Sequence, residues 1–136
     1  MKKMLFGALM LAVAFTACKK KDSPSVTERV QHKWKLDRDI YHEFYLGTHS
    51  RDTTVGTAND YAEFKSDGSF TLVVPSMSYS NSGTYSILND SKIAFNYSSG
   101  EKDTSEIKTI TDNKLVLYWY EADGADYYEE TTELSR

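Results

Sequence analysis

From Trp34 onward, apolar and polar side chains alternate with a period of two, the pattern of strands that turn one face to a core. Trp34 and Leu36 alternate with Lys35 and Asp37, and the stretch runs on as an amphipathic strand to Tyr45, with a less regular phase from Ile40. Ala62 and Phe64 lead into Ser66-Asp67-Gly68-Ser69, and Phe70, Leu72 and Val74 lead out of it. Asp-Gly supplies the positive φ that a tight hairpin requires. After Pro75 and a serine-rich connection over 76–82, Gly83, Tyr85 and Ile87 form one strand and Ile93, Phe95 and Tyr97 the next, joined by Asn89-Asp90-Ser91. Further strands are expected at 104–110, at 115–120 and at 125–134. The total is eight, with antiparallel neighbours wherever the link is short. The polar, glycine-punctuated stretch 47–60 (GTHSRDTTVGTAND) reads as a long mobile loop.

Before the first strand, Ser25-Val26-Thr27-Glu28 has the spacing of a capping box, and Val26, Val30 and Trp34 fall four apart. A short helix is therefore expected to precede the sheet. Eight sequential hairpin-linked strands close into an up-and-down barrel, which removes exposed edges. The fold class expected is all-β, an eight-stranded antiparallel barrel with a short N-terminal helix; a β-sandwich is the alternative.

The start of the chain follows another rule. Met1-Lys2-Lys3 is basic, and Met4 to Phe15 is an uncharged apolar run too short to span a bilayer. It reads as a signal peptide over residues 1–17. Phe15-Thr16-Ala17-Cys18 resembles a lipobox, the recognition site of lipoprotein signal peptidase, and Cys18 is the chain's one cysteine. That resemblance implies acylation of Cys18, by diacylglycerol on sulfur and an acyl chain such as palmitate on the freed amine. At about 0.8 kcal/mol per buried methylene, two or more chains hold a protein firmly to a membrane. Residues 18–25, with three lysines and a proline, then form a tether, and 26–136 form the domain.

Composition narrows the picture further. Ten tyrosines, six phenylalanines and two tryptophans against two prolines fit an ordered, β-rich domain. Loss of Lys2 and Lys3 with the leader leaves 14 basic against 20 acidic side chains, a net charge of −6. So acidic a domain is a poor partner for nucleic acid. With Cys18 acylated, no thiol remains for a disulfide or a nucleophile.

A family resemblance completes this reading. His32-Lys33-Trp34-Lys35-Leu36, Glu63-Phe64-Lys65-Ser66-Asp67-Gly68-Ser69-Phe70, Gly83-Thr84-Tyr85 and Asn113-Lys114-Leu115-Val116-Leu117, in that order, resemble the lipocalin-like domain of small bacterial lipoproteins. His32 stands where the family usually has glycine. The resemblance implies that Trp34 packs across the closed base of the barrel, against an arginine near the chain end, for which Arg136 is the candidate.

No nucleophile elbow, zinc-protease helix, P-loop or dinucleotide fingerprint occurs, so no catalytic residue, metal or cofactor is assigned and no enzyme is expected. His32, His42 and His49 lack ligand spacing, although folding could bring two of them together, and alternation puts Glu129 and Glu133 on one, wet, face. Tyr118, Trp119, Tyr120, Tyr127 and Tyr128 lie on two strands joined by one turn, and are the candidate contacts for a small hydrophobic ligand. The functional expectation is a membrane-anchored, non-enzymatic binding lipoprotein of the cell envelope, on the periplasmic or the outer side of the outer membrane. The alternative is an accessory of an envelope complex with a protein partner on the outer face of the 115–120 strand. Replacing Cys18 by serine should move the protein from the membrane fraction to the soluble fraction in a fractionation blot; unchanged membrane retention would contradict the anchor.

Overall fold

The computed structural model describes residues 23–136. The expected signal peptide and Cys18, with the tether as far as Asp22, lie outside the described residues. Helix α1, Val26–Val30, forms on the capping box: the Glu28 amide donates to Ser25 Oγ at 3.2 Å, and the Ser25 amide donates to the Glu28 carboxylate at 2.7 Å. Its last residue, Val30, is fully buried, and its carbonyl accepts the Trp34 indole N–H at 2.9 Å. This bond fixes the angle at which the chain enters the sheet.

Nine strands follow: β1 (Lys33–Tyr45), β2 (Thr48–Val55), β3 (Tyr61–Phe64), β4 (Ser69–Val74), β5 (Tyr79–Leu88), β6 (Lys92–Tyr97), β7 (Lys102–Ile110), β8 (Lys114–Asp123) and β9 (Asp126–Ser135). Strands β1 and β3 to β9 pair antiparallel in sequence, and β9 returns to β1, closing an eight-stranded barrel. Closure by β1–β9 pairing rules out two separate sheets, so the molecule is a barrel and not a sandwich. The ninth strand, β2, pairs with β1 alone.

That ninth strand corrects the reading of 47–60 as a mobile loop. The chain turns at Leu46-Gly47, both at positive φ (50° and 80°), and β2 runs back along β1 with Tyr45 opposite Thr48 and Arg38 opposite Val55. Its side chains are nearly all exposed, so the strand carries no apolar alternation. Backbone pairing holds it, helped by the β-branched Thr48, Thr53, Thr54 and Val55. The serine-rich connection after Pro75 is likewise shorter than its composition implies: a 3-10 turn over Pro75–Met77, after which β5 begins at Tyr79.

β1 is long because it serves three neighbours. One edge pairs with β9 from Lys35 to Phe44; the other pairs with β3 at Lys33–Lys35 and with β2 from Arg38 onward. At the changeover the register against β9 slips by one residue between Leu36 and Arg38, a β-bulge. Gly56 and Asp60 complete the junction, with the Gly56 amide donating to the Asp37 carbonyl and the Leu36 amide to the Asp60 carbonyl, both at 2.9 Å. A Cβ on Gly56 would lie 2.0 Å from the Leu36 carbonyl oxygen, which only glycine avoids.

The closed end of the barrel is apolar and filled. Trp34, Ile93, Leu115 and Leu134 are buried there with Leu36, Phe64, Phe70 and Phe95, the phenylalanines packing edge-on and tilted against one another. The Arg136 guanidinium carbon stands 5.3 Å from the centre of the Trp34 ring, over the base.

One buried charge lies beside this core. Asp60 is fully inaccessible and accepts the Thr57 amide at 2.6 Å, the Ser76 hydroxyl at 2.7 Å and the Ser76 amide at 3.2 Å, tying the 56–60 segment to the 75–77 turn. The Thr57 amide bond, more than burial opposes it, pulls its carboxyl down to about 2. A carboxyl below its unfolded value stabilises the fold above that value and loses the contribution as pH falls toward the folded one. Urea unfolding midpoints should therefore drop between about pH 4 and pH 2 more steeply in the parent than in Asp60→Asn, and parallel curves would contradict the clamp. Gly56→Ala should cost about 2–3 kcal/mol in the same assay, against less than about 0.5 for the exposed Thr84→Ala.

Candidate functional site

Beyond the bulge the inner wall of the barrel changes character. Trp34 and Leu36 face the core, but the extra residue at Asp37 shifts the phase, and the inward positions become Asp39, Tyr41 and Glu43. Their register partners are Thr132, Glu130 and Tyr128 on β9, and Thr54, Asp52 and Ser50 on β2. Above the apolar base the chain thus points acids and phenols inward.

A cavity of about 450 Å³ opens here. Leu36, Leu72 and Val74 are its apolar part; Asp39, Glu130, Tyr41 and Tyr97 are its polar wall; Asp52, Thr54, Met77 and Tyr79 complete the lining. Met77 and Tyr79, 55% and 45% exposed, mark the solvent side. Three carboxylates line this chamber and no basic side chain does.

Its electrostatics follow from burial. Glu130 is held well above the ordinary carboxylate range, first by burial and then by the charge of Asp39 beside it. Asp39 is raised by burial as well, against hydrogen bonds from Glu130 and from Thr132 Oγ1, the latter at 2.9 Å. Burial, and for Glu130 the charge of its neighbour, therefore oppose ionising both carboxyls together. Burial, with Asp103 next in effect, pushes Tyr97 up to about 12, and burial, with Glu43 next, also raises Tyr41. Both phenols are therefore neutral hydrogen-bonding groups at any physiological pH.

Strand alternation divides the five aromatic residues chosen from sequence. Tyr128 faces inward beside Glu43, and Trp119 inward opposite Glu130, lining a shallow hollow with Tyr97, Lys102 and Asp103. Tyr118, Tyr120 and Tyr127 face outward. There Tyr127 stacks on Phe44, with centroids 5.7 Å apart, lies 6.1 Å from Tyr120, and meets the His42 ring edge-on. On the same outer face His42 Nδ1 lies 2.8 Å from Glu129 Oε1, the Tyr118 hydroxyl donates to Glu129 Oε2 at 2.8 Å, and His49 Nδ1 lies 3.3 Å from His42 Nε2. Hydrogen bonds from His42 and then Tyr118 hold Glu129 below the usual glutamate range.

Sequence reasoning missed the pair Asp39 and Glu130, and it left open which two of the three histidines folding would bring together; they are His42 and His49. It placed Glu129 and Glu133 outward, where they lie, Glu133 accepting from Arg38 at 2.9 Å, while the residue between them, Glu130, takes the inward position. The signal available was that one-residue offset. Among the described residues no group of three or more His, Cys, Asp or Glu side chains is arranged to hold a metal ion, and no helix is long and apolar enough to cross a membrane.

Comparison with known proteins adds the following. Residues 30–117 match the family model described as a lipocalin-like domain. The crystal structure of a lipocalin-like protein from Bacteroides uniformis ATCC 8492 aligns with a TM-score of 0.48 at 15% identity, over 79% of this chain and 98% of that one. A search of curated proteins returns no match.

Proposed function

The chain belongs to the family of lipocalin-like domains, and from that premise we propose that it is a non-enzymatic binding protein whose ligand combines an apolar body with a cationic group. What carries this reading is the chamber of about 450 Å³, in which Leu36, Leu72 and Val74 meet the carboxyls of Asp39 and Glu130. That volume suits one small molecule. An apolar body on the aliphatic side is stabilised by about 25 cal/mol per Å² removed from water. An ammonium group beside Asp39 and Glu130 supplies the positive charge that lets both carboxyls ionise, and Tyr41 and Tyr97 stand on the same wall. A fatty acid, by contrast, would bring a further negative charge to a wall where burial already opposes full ionisation.

The ligand expected from sequence, small and hydrophobic, is thereby narrowed to an amphiphilic amine whose aromatic neighbours are Tyr41, Tyr79 and Tyr97, the tyrosines of the chamber lining, and not the five aromatic residues chosen from sequence. Anchoring through Cys18 would hold the barrel at the outer membrane on its short tether, so that capture happens close to the bilayer. A protein partner is a second reading, favoured by one observation: Tyr120, on the outer face of β8, is 53% exposed within the aromatic cluster of Tyr127 and Phe44.

The test compares octylammonium with octanoate by isothermal titration calorimetry. Octylammonium should bind more than about tenfold tighter, a difference of about 1.4 kcal/mol, and the Asp39→Asn/Glu130→Gln double variant should erase the preference. Because the cation favours the ionised pair, affinity should rise with pH as the pair deprotonates, with proton release detectable in buffers of different ionisation enthalpy. Octanoate binding equally well would overturn the ligand class, and no binding by either would overturn the binding role.

A further inference from the structure

We propose that His42 and His49 form a binding site for a divalent transition-metal cation on the outer face of the β1–β2 hairpin, separate from the chamber. The two-residue turn at Leu46-Gly47 brings strands β1 and β2 together so that His42 Nε2 and His49 Nδ1 lie 3.3 Å apart, with their rings only 16° from parallel. Metal–nitrogen bonds of about 2.0–2.1 Å at a tetrahedral angle hold two imidazole nitrogens about 3.3–3.4 Å apart. The spacing matches that of a shared ion as well as that of the N–H···N hydrogen bond the rings make without one, and a turn of the exposed His49 ring separates the two states.

Protonation follows from the neighbours. The Glu129 carboxylate oxygen sits 2.8 Å from His42 Nδ1, so a neutral His42 donates from Nδ1 and its Nε2 lone pair faces His49. A carboxylate on the far nitrogen of a histidine is the usual second support of a metal-bound imidazole, fixing its tautomer and raising its basicity. Tyr118, donating to the other Glu129 oxygen at 2.8 Å, fixes that carboxylate in turn. His49 is exposed on the edge strand, and a turn of its ring aims Nδ1 at the common point while Nε2 keeps the proton. The adjoining hollow, lined by Ile40, Ser50, Arg51 and Thr131, leaves room for water at the remaining coordination positions. Two imidazoles select zinc, copper or nickel over calcium or magnesium. Arg51, directly opposite His42, and Lys108, over the Tyr118 ring at 4.6 Å, are the opposing charges, and both are long enough to extend into water.

Zinc chloride titrated into the full chain, read by calorimetry and by the histidine ring resonances in NMR, tests the site. The rings of His42 and His49 should shift together at one equivalent, His49→Ala should weaken binding more than about tenfold, and Glu129→Gln should weaken it about tenfold. His49 is exposed, so its loss leaves the fold intact, and Asp39→Asn/Glu130→Gln should bind zinc as the parent does. Silent histidine resonances, or parental affinity in His49→Ala, would overturn the proposal. The octylammonium assay is unaffected by either result.

Discussion

Everything in this barrel depends on how the two edges of β1 are shared. One edge runs beside β9 and closes the cylinder; the other begins against β3 and ends against β2. A strand of thirteen residues can do this only if it bends, and the bulge at Asp37, with glycine at position 56 packed on the Leu36 carbonyl, provides the bend. Below it the barrel is a solid apolar core closed by Trp34; above it lies a chamber with acids on the wall.

The same bulge accounts for both halves of the chemistry. A single extra residue turns Asp39, Tyr41 and Glu43 inward and Ile40, His42 and Phe44 outward. The inward set meets Glu130 of β9 and creates a carboxyl pair whose joint ionisation burial opposes. The outward set meets Glu129 of the same strand and creates an imidazole held in one orientation by a carboxylate. Neighbouring residues of β9 thus serve two distinct environments through period-two geometry alone.

Much of the fold was legible because an apolar side chain facing a core leaves a period-two trace, and Phe64, Phe70, Phe95, Leu115 and Leu134 all leave one. Strand β2 left none, since a strand with two wet faces has no contrast to show. Its ladder is backbone, which sequence does not display. The chamber was hidden for a related reason: an acid at an inward position reads as outward, so Asp39 and Glu130 blurred the phase of their strands instead of marking a site. The irregular phase noted after Ile40 was the trace of the bulge. The aromatic set was found, but alternation divides it between inside and outside. His42 and His49 could be joined only once the stretch between them was known to be a hairpin.

The central claim is that buried carboxyls beside an apolar floor select a cationic guest. Carbon-13 NMR titration of the Asp39 and Glu130 side-chain carboxyls, with and without octylammonium, addresses it most directly. The account predicts a coupled pair with one titration well above the ordinary carboxylate range, drawn downward when the amine is bound. Two independent titrations near pH 4, unmoved by the amine, would contradict it.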